Sequence, residues 1–344
     1  MVSLTLIWLQ FAVCAVLIGL AGFQLSRYGD VIAHRTGLSG GWIGMALLAT
    51  ATSLPELVTG ITSVTVADAP NLALGNALGS CNLNLFFLVV VDFLSRREPL
   101  WHRASQGHVL AAGFGVVMLG FVMVSLLVSH LRYPGQSPMP AFLANLGFSL
   151  ATPVVFLLYM VAMRTVFSYE RAHATPAPLV PDDTRPDLRQ AVQRFALAAA
   201  VVFLAGLWLP FVALDLATAM GWNRSFVGSM FVALVTTLPE LAVTLSALRI
   251  GAVDMAIGNL LGSNLFNVAI IAVDDLFYVQ GSLLADSSPV HAVTAGSAIV
   301  MTGLAMIGLF FRPRSRVLRA VGWVSLGLLA VYLFNTYVLY LHGD

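Results

Sequence analysis

The sequence predicts an all-α polytopic membrane protein of ten transmembrane helices arranged as two inverted five-helix repeats. Three observations carry this expectation: an apolar composition, a motif that occurs twice, and an uneven distribution of arginine. Of 344 residues, 59% are hydrophobic and 10% charged, with a mean hydropathy of +0.89. Soluble domains carry about 25% charged residues, so most of this chain is suited to lipid. The net charge of +1 gives no footprint for nucleic acid or an acidic partner. The two cysteines, Cys14 and Cys81, lie in apolar segments and suggest neither a disulfide framework nor a metal spacing.

A spanning helix needs about 20 apolar residues. Ten runs qualify: 4–24, 42–66, 71–94, 107–130, 141–168, 192–219, 226–249, 253–279, 289–311 and 317–341. The first lacks a basic leader and a small-residue cleavage site, so it reads as a span rather than a signal peptide. The polar stretch 169–190 contains Pro176, Pro178, Pro181 and Pro186 among Asp182, Asp183 and Asp187. It reads as a linker between a first repeat, 1–168 (motif helices 42–94), and a second, 191–344 (motif helices 226–279).

All seventeen basic residues are arginine, and fifteen fall in the loops after spans one, three, five, seven and nine. Only Arg132 and Arg224 lie on the other face. Cytoplasmic loops carry the excess of basic residues. The expectation is a multi-pass protein of the cell (inner) membrane, with both termini outside the cytoplasm and the linker inside. Five spans per half is an odd number, so the second half enters from the opposite side. Inverted repeats of this kind place a substrate site near the bilayer midplane.

The doubled motif supplies candidate residues for that site. Thr52-Ser53-Leu54-Pro55-Glu56 is matched by Thr236-Thr237-Leu238-Pro239-Glu240. Gly75-Asn76-Ala77-Leu78-Gly79-Ser80-Cys81-Asn82-Leu83-Asn84 is matched by Gly258-Asn259-Leu260-Leu261-Gly262-Ser263-Asn264-Leu265-Phe266-Asn267. The separation between copies is the same for both motifs to within one position. Ionisable residues in spans are expensive and mark ion paths. Each proline lacks an N–H and clashes with the carbonyl four residues back, at Ala51 and Val235. Thr52 shares a helix face with Glu56, and Thr236 with Glu240. Carboxylate, hydroxyl and carbonyl oxygens are the ligand set of a hard cation. Asn76, Ser80 and Asn84 form one polar stripe, and Asn259, Ser263 and Asn267 another. The Gly75/Gly79 and Gly258/Gly262 spacings permit close helix approach, which would carry Asn84 toward Glu56 and Asn267 toward Glu240.

At these residues the chain resembles the calcium/cation antiporter superfamily, of the sodium/calcium exchanger type with the microbial ten-helix layout. The resemblance implies a secondary-active antiporter, not an enzyme. It would exchange a divalent cation, Ca2+ by default, for Na+ or H+ by alternating access, with the outer first and sixth spans sliding past the rest. No cofactor is implied; the partners are inorganic cations and the lipid bilayer, with no nucleic acid and the oligomeric state left open, a monomer included. Residue by residue, it implies that Glu56 and Glu240 coordinate the divalent ion and share in sodium sites. Thr52 and Thr236 would contribute oxygen ligands, and Ala49 and Ala233 carbonyls lining the sodium sites. Ser53, Ser80 and Ser263 match hydroxyl ligands, with Thr237 in place of serine in the second copy. Asn84 and Asn267 match the last polar residue of the second motif.

Departures from the family pattern also carry information. Ala51 and Val235 stand where the family often has glycine, and Cys81 replaces an asparagine that Asn264 keeps. Many sodium/calcium exchangers carry aspartate at the position of Asn267. Two carboxylates balance one divalent cation and balance three sodium ions less well. The expectation is weaker sodium coupling, an altered stoichiometry, or protons in place of sodium. Among the other acids, Asp92 beside Arg96 and Arg97 reads as an interfacial ion pair. Asp274, with Asp275 next to it near the outer end of the eighth span, is a candidate for drawing cations into a vestibule. Asp68 and Asp254 read as solvated loop acids. No histidine pattern suggests ligands, and no nucleotide-binding glycine loop suggests a drive other than a monovalent gradient. Intramembrane proteolysis is disfavoured by the absence of a Gly-x-Gly-Asp aspartate and a His-Glu-x-x-His helix. A channel or ion-binding sensor on the same fold, or an exchanger of Mg2+ or Mn2+, remains the alternative.

Overall fold

The computed structural model describes residues 3–35, 50–95, 100–103, 107–131, 149–173, 187–249, 251–313, 316–317 and 321–343. Eleven main helices occur in these segments: α1 (Leu4–Arg35), α2 (Leu54–Thr65), α3 (Pro70–Leu94), α4 (His108–His130), α5 (Ala151–His173) and α6 (Leu188–Met220), then α7 (Arg224–Thr236) and α8 (Leu238–Arg249), and α9 (Val253–Phe277), α10 (His291–Phe311) and α11 (Trp323–His342). Among the described residues, eight helices are long and apolar enough to cross a membrane, and the bent pair α7–α8 makes a ninth span. The second predicted span is described only from residue 50 onward.

The two halves repeat in their local geometry. Ser53, just before α2, has φ −88° and ψ 12°, and Thr237, between α7 and α8, has φ −84° and ψ 4°. Both leave the helical region where a proline follows two residues later, because that proline cannot donate to the helix ladder. The α7–α8 axis bends there by 47°. A backbone bond spans each break, Leu57 N to Ser53 O at 3.2 Å and Leu241 N to Thr237 O at 3.1 Å.

α3 and α9 are the most buried spans, while α1 and α5 expose most of their surface. The exposed side chains are themselves large and apolar, among them Leu20, Leu157, Leu204 and Phe310. Such a belt suits hydrocarbon and is foreign to a soluble monomer. α1 and α6 pack along one another at the periphery, and each also leans on the motif helix of the opposite half. A Cβ at Gly22 of α1 would lie 2.7 Å from Pro239 Cβ, and one at Gly206 of α6 would lie 2.9 Å from Val58 Cγ1. Gly22 and Gly206 are as far apart along the chain as the two motif glutamates, so they are repeat counterparts.

Several boundaries differ from the sequence-based ranges. α1 continues well past Gln24, to Arg35, and α6 starts at Leu188, ahead of Val192. At 1.5 Å per residue they are about 48 and 50 Å long, more than the ~30 Å hydrocarbon core. Beyond it they stay helical because they bind each other: Arg194 Nη1 donates to Tyr28 Oη at 2.7 Å, and Tyr28, Val31 and Ala191 form a small apolar cluster. Within the 169–190 stretch, 169–173 and 188–190 are helical and 174–186 lie outside the described residues. The last span begins at Trp323 rather than 317. Ahead of it, Arg316–Val317 and Val321–Gly322 form a two-residue antiparallel ladder, a minor exception to an all-α chain.

Asp92 is expected from the sequence to form an interfacial ion pair with Arg96 and Arg97, which lie outside the described residues. It is buried, and it accepts from Leu100 N at 3.3 Å, Gly322 N at 2.9 Å and Ser325 Oγ at 2.7 Å. Asp275, its counterpart in the second repeat, accepts from Leu283 N at 2.8 Å, Ser149 N at 2.6 Å and Thr152 Oγ1. Each aspartate fastens the end of its own motif helix to the last helix of the other half.

Candidate ion-binding site

The site lies where the breaks before α2 and between α7 and α8 face the buried helices α3 and α9. Glu56 and Glu240 are the third residues of α2 and α8, and both are fully buried. Ser53, three residues before Glu56, bonds the Glu240 carboxylate at 2.9 Å and so brings the two helix starts together. A carboxylate withdrawn from water costs several kcal/mol unless a cation, a proton or donors compensate it, so their partners decide what the site can do.

Glu240 is partly satisfied. Its Oε1 accepts from Ser53 Oγ at 2.9 Å, across the interface between halves, and from Ser263 Oγ at 3.4 Å. Its Oε2 has no partner. Both carboxylate oxygens of Glu56 lack a partner, as do Ser80 Oγ and both polar atoms of the Asn267 amide. Thr237 does not mirror Ser53: its hydroxyl turns back to Ala233 O at 2.7 Å and Leu234 O at 3.4 Å. The repeat is therefore twofold in backbone but asymmetric in side-chain bonding.

The amides of the second motif brace this arrangement. Asn76 Nδ2 donates to Glu56 O and Asn259 Nδ2 to Glu240 O, both at 3.3 Å. Thr236 Oγ1 donates to Asn76 Oδ1 at 3.0 Å, tying α7 to α3, and also lies 3.2 Å from Ala233 O. The Ala233 carbonyl accepts from the Thr237 hydroxyl at 2.7 Å and the Thr237 N–H at 2.9 Å, and points into its own helix. Thr52 is buried beside the site; Ala49 lies outside the described residues. Asn84, which the sequence directs toward Glu56, donates to Asn264 Oδ1 at 3.0 Å.

The glycine spacings act differently in the two copies. A Cβ at Gly75 would meet Ser225 O and Ser229 N at 3.1 Å, and one at Gly79 would lie 2.5 Å from Ser229 Cα. α3 can therefore lie directly on the π-helical turn Gly228–Val232 of α7. Gly258 meets the His108 ring at 3.4 Å, and Gly262 has no described neighbour within 4 Å. Ser229, whose buried hydroxyl has no partner, was not marked by the motif; the π turn is the feature that brings it to α3, and π turns are frequent at functional sites.

Among the described residues no three His, Cys, Asp or Glu side chains gather around one point. The donors are two carboxylates with hydroxyls and amides, a hard-oxygen set with open valence.

Comparison with known proteins agrees with this construction. The sequence matches the family described as sodium/calcium exchanger protein over residues 6–167 and 191–338, two stretches that flank the linker. It is 26% identical over 301 residues to the putative antiporter CaxA of Alkalimonas amylolytica, covering 86% of each chain. The fold matches the sodium-calcium exchanger NCX_Mj with a TM-score of 0.61 and 22% identity, covering 98% of this chain and 99% of that one. It matches the H+/Ca2+ exchanger CAX with a TM-score of 0.69 and 14% identity, covering 97% and 81%. At these identities the two structures speak for the fold alone. The family match, with the CaxA relationship beside it, covers both halves and both motifs, and the chain belongs to the sodium/calcium exchanger family, whose members are secondary transporters and not enzymes.

Proposed function

We propose that this chain exchanges Ca2+ for Na+ or H+ by alternating access, with Glu56 and Glu240 as shared ligands of the exchanging ions. The observation that carries the reading is the set of buried, unpartnered oxygens: both of Glu56, Oε2 of Glu240 and the hydroxyl of Ser80. Three carboxylate oxygens and a hydroxyl fit one hard divalent cation in charge and in chemistry. The same carboxylates cannot serve two kinds of ion at once, so loading one displaces the other, and the flux of each becomes tied to the other.

Thr52, Thr236, Ser53, Ser263, Asn267 and Asn84 surround or support that position, Thr237 and Ala233 belong to the helix break of the second half, and Ala49 is retained as a ligand on the family resemblance alone. The sliding pair is α1 and α6, which approach α8 and α2 closely where Pro239 and Val58 pack against Gly22 and Gly206. The arginine distribution supports an inner-membrane orientation with both termini outside and the 169–190 linker inside. The two halves are 1–168 and 191–344, and one chain holds both glutamates, so a monomer suffices.

Ion flux in proteoliposomes tests the reading. Ca2+ uptake should require an outward Na+ or H+ gradient and should disappear in Glu56→Gln and in Glu240→Gln. Ca2+ flux without a counter-ion would instead indicate a channel, and transport surviving both changes would remove these glutamates from the site.

A further inference from the structure

The acid that the central site does not use is Asp274. It is fully buried near the end of α9, and neither carboxylate oxygen has a hydrogen-bond partner. Its neighbour Asp275 shows what a structural aspartate needs here: three donors, as Asp92 has in the other half. By the separation that pairs Asn84 with Asn267, the counterpart of Asp274 is Val91. The fold is therefore complete on the symmetric side with an aliphatic residue, and Asp274 is not needed to close it.

Its location suggests a use. The carboxylate rests on Gly60 of α2, where a Cβ would come 2.8 Å from its Cγ. Gly60 is one turn past Glu56, about 6 Å along the helix. Thr244 of α8 is the repeat counterpart of Gly60, so glycine and aspartate occur together and on one side only. Asn267, also unpartnered, lies seven positions before Asp274 on the same face of α9. Beyond Asp274 the chain turns at Tyr278, where burial first, then the Asp286 and Asp68 carboxylates, push the phenol above its usual range. Asp68 and Asp286 are exposed. Asp68 and Asp286 thus lie around Tyr278, one turn past Asp274, and Asp274 rests on Gly60, one turn past Glu56.

We propose that Asp274, seated on Gly60, is a second cation-binding station that serves only one of the two approaches to the Glu56–Glu240 site. It rests on the exchange reading for its role in transport, but not for binding itself. A buried carboxylate without donors holds a cation in transit more readily than it stays empty, and the repeat counterparts Val91 and Thr244 supply no carboxylate at the equivalent place. The two sides of the membrane should then present different apparent affinities for the same ion.

Two measurements separate this proposal from the reading beneath it. The first is equilibrium binding of radioactive Ca2+ to the full chain in detergent. A Glu56→Gln/Glu240→Gln variant should keep residual Ca2+ binding, and adding Asp274→Asn should abolish it. Absence of residual binding, or its persistence without Asp274, overturns the proposal whatever the flux assays give. The second is Ca2+ titration on each face with right-side-out and inside-out vesicles. Asp274→Asn should raise half-saturation roughly tenfold on the face of Asp68 and Asp286, the scale of one lost charge at this range, and leave the opposite face unchanged. Equal shifts on both faces, or none, also overturn it. Gly60→Ala, which displaces the carboxylate without removing it, should reproduce the one-sided shift and decides the matter if Asp274→Asn does not fold. Loss of counter-ion dependence in the wild type would count against the exchange reading alone.

Discussion

Cys81 and Asn264 occupy equivalent positions in the two repeats and meet where α3 crosses α9. Asn264 Nδ2 donates to Cys81 O at 3.2 Å, and Cys81 Sγ donates to Asn264 O at 3.7 Å. Asn264 also receives Asn84 Nδ2 on its Oδ1. The reciprocal contact cannot form, because Cys81 has no amide oxygen to receive Asn267. The single departure at position 81 thus explains why Asn84 is engaged while Asn267 keeps both polar atoms free. Cys81→Asn should supply the missing acceptor. We expect higher thermal stability in detergent, by about 1 kcal/mol for one buried hydrogen bond, together with a Ca2+ half-saturation raised about threefold to tenfold as Asn267 is withdrawn. An affinity unchanged alongside the stability gain would mean that Asn267 does not face the ion.

The unequal use of Ser53 and Thr237 leads to a second expectation. Ser53 crosses to Glu240, whereas the Thr237 hydroxyl stays within its own helix. Ser53→Ala should weaken Ca2+ binding by about tenfold or more, in line with a hydrogen bond to a charged group at about 1.5–3 kcal/mol. Thr237→Ala should change it by less than about threefold. Isothermal titration on the two variants checks this, and equal effects would mean that the bonding pattern is exchanged during the cycle.

The helix breaks and the pairing of the halves around the candidate site were legible in the sequence because their physical causes are local. Proline two positions after Ser53 and Thr237 dictates the helix breaks, and a nearly constant separation along the chain pairs the halves. The same separation also pairs Asp92 with Asp275 and Gly22 with Gly206, but neither pair lies inside a recognisable motif. Asp92 could not be separated from its arginine neighbours without knowing that α11 returns to it. The direction of the Ser53 and Thr237 hydroxyls was not legible, since both residue types can bond across a gap or back to a carbonyl four residues earlier. The length of α1 and α6 was missed for a related reason: their polar ends are stabilised by each other and not by lipid.

Asp92 and Asp275 should behave as structural residues. Asp92→Asn and Asp275→Asn each weaken three charge-assisted contacts, at a cost of about 2–3 kcal/mol. Melting temperature in detergent should fall in both, with Ca2+ half-saturation little changed in the protein that remains folded. A large affinity change with intact stability would place these aspartates in the ion path instead.

Gly22→Ala and Gly206→Ala probe motion. Each adds a methyl where the nearest heavy atom belongs to the opposite motif helix, an overpacking worth about 1–3 kcal/mol. If α1 and α6 slide during exchange, turnover should drop several-fold in both while equilibrium Ca2+ binding stays close to wild type, because neither glycine touches the site. Stopped-flow uptake set against binding isotherms makes the distinction. Reduced binding without slower turnover would instead point to a static role in holding the glutamates.

Asn267→Asp tests the charge balance of the centre. Under the proposed exchange reading the site has two carboxylates, enough to neutralise one divalent cation but one short of three monovalent ones. A third carboxylate at position 267 would sit on α9 where a neutral, unpartnered amide now stands. At a separation of several ångströms and an effective dielectric near 20, one added charge alters a monovalent ion's binding by about 2 kcal/mol. Sodium dependence of Ca2+ uptake should therefore steepen, with a higher Hill coefficient and a half-saturation for Na+ lowered by roughly tenfold or more. The effect of external pH on uptake should diminish in step, as sodium takes the place of protons on the same oxygens. A variant that loses transport altogether while still binding Ca2+ more tightly would show that the added charge holds the divalent ion too firmly to release. Unchanged sodium dependence would show that position 267 lies outside the monovalent sites, leaving the coupling ion to be decided by Glu56 and Glu240 alone.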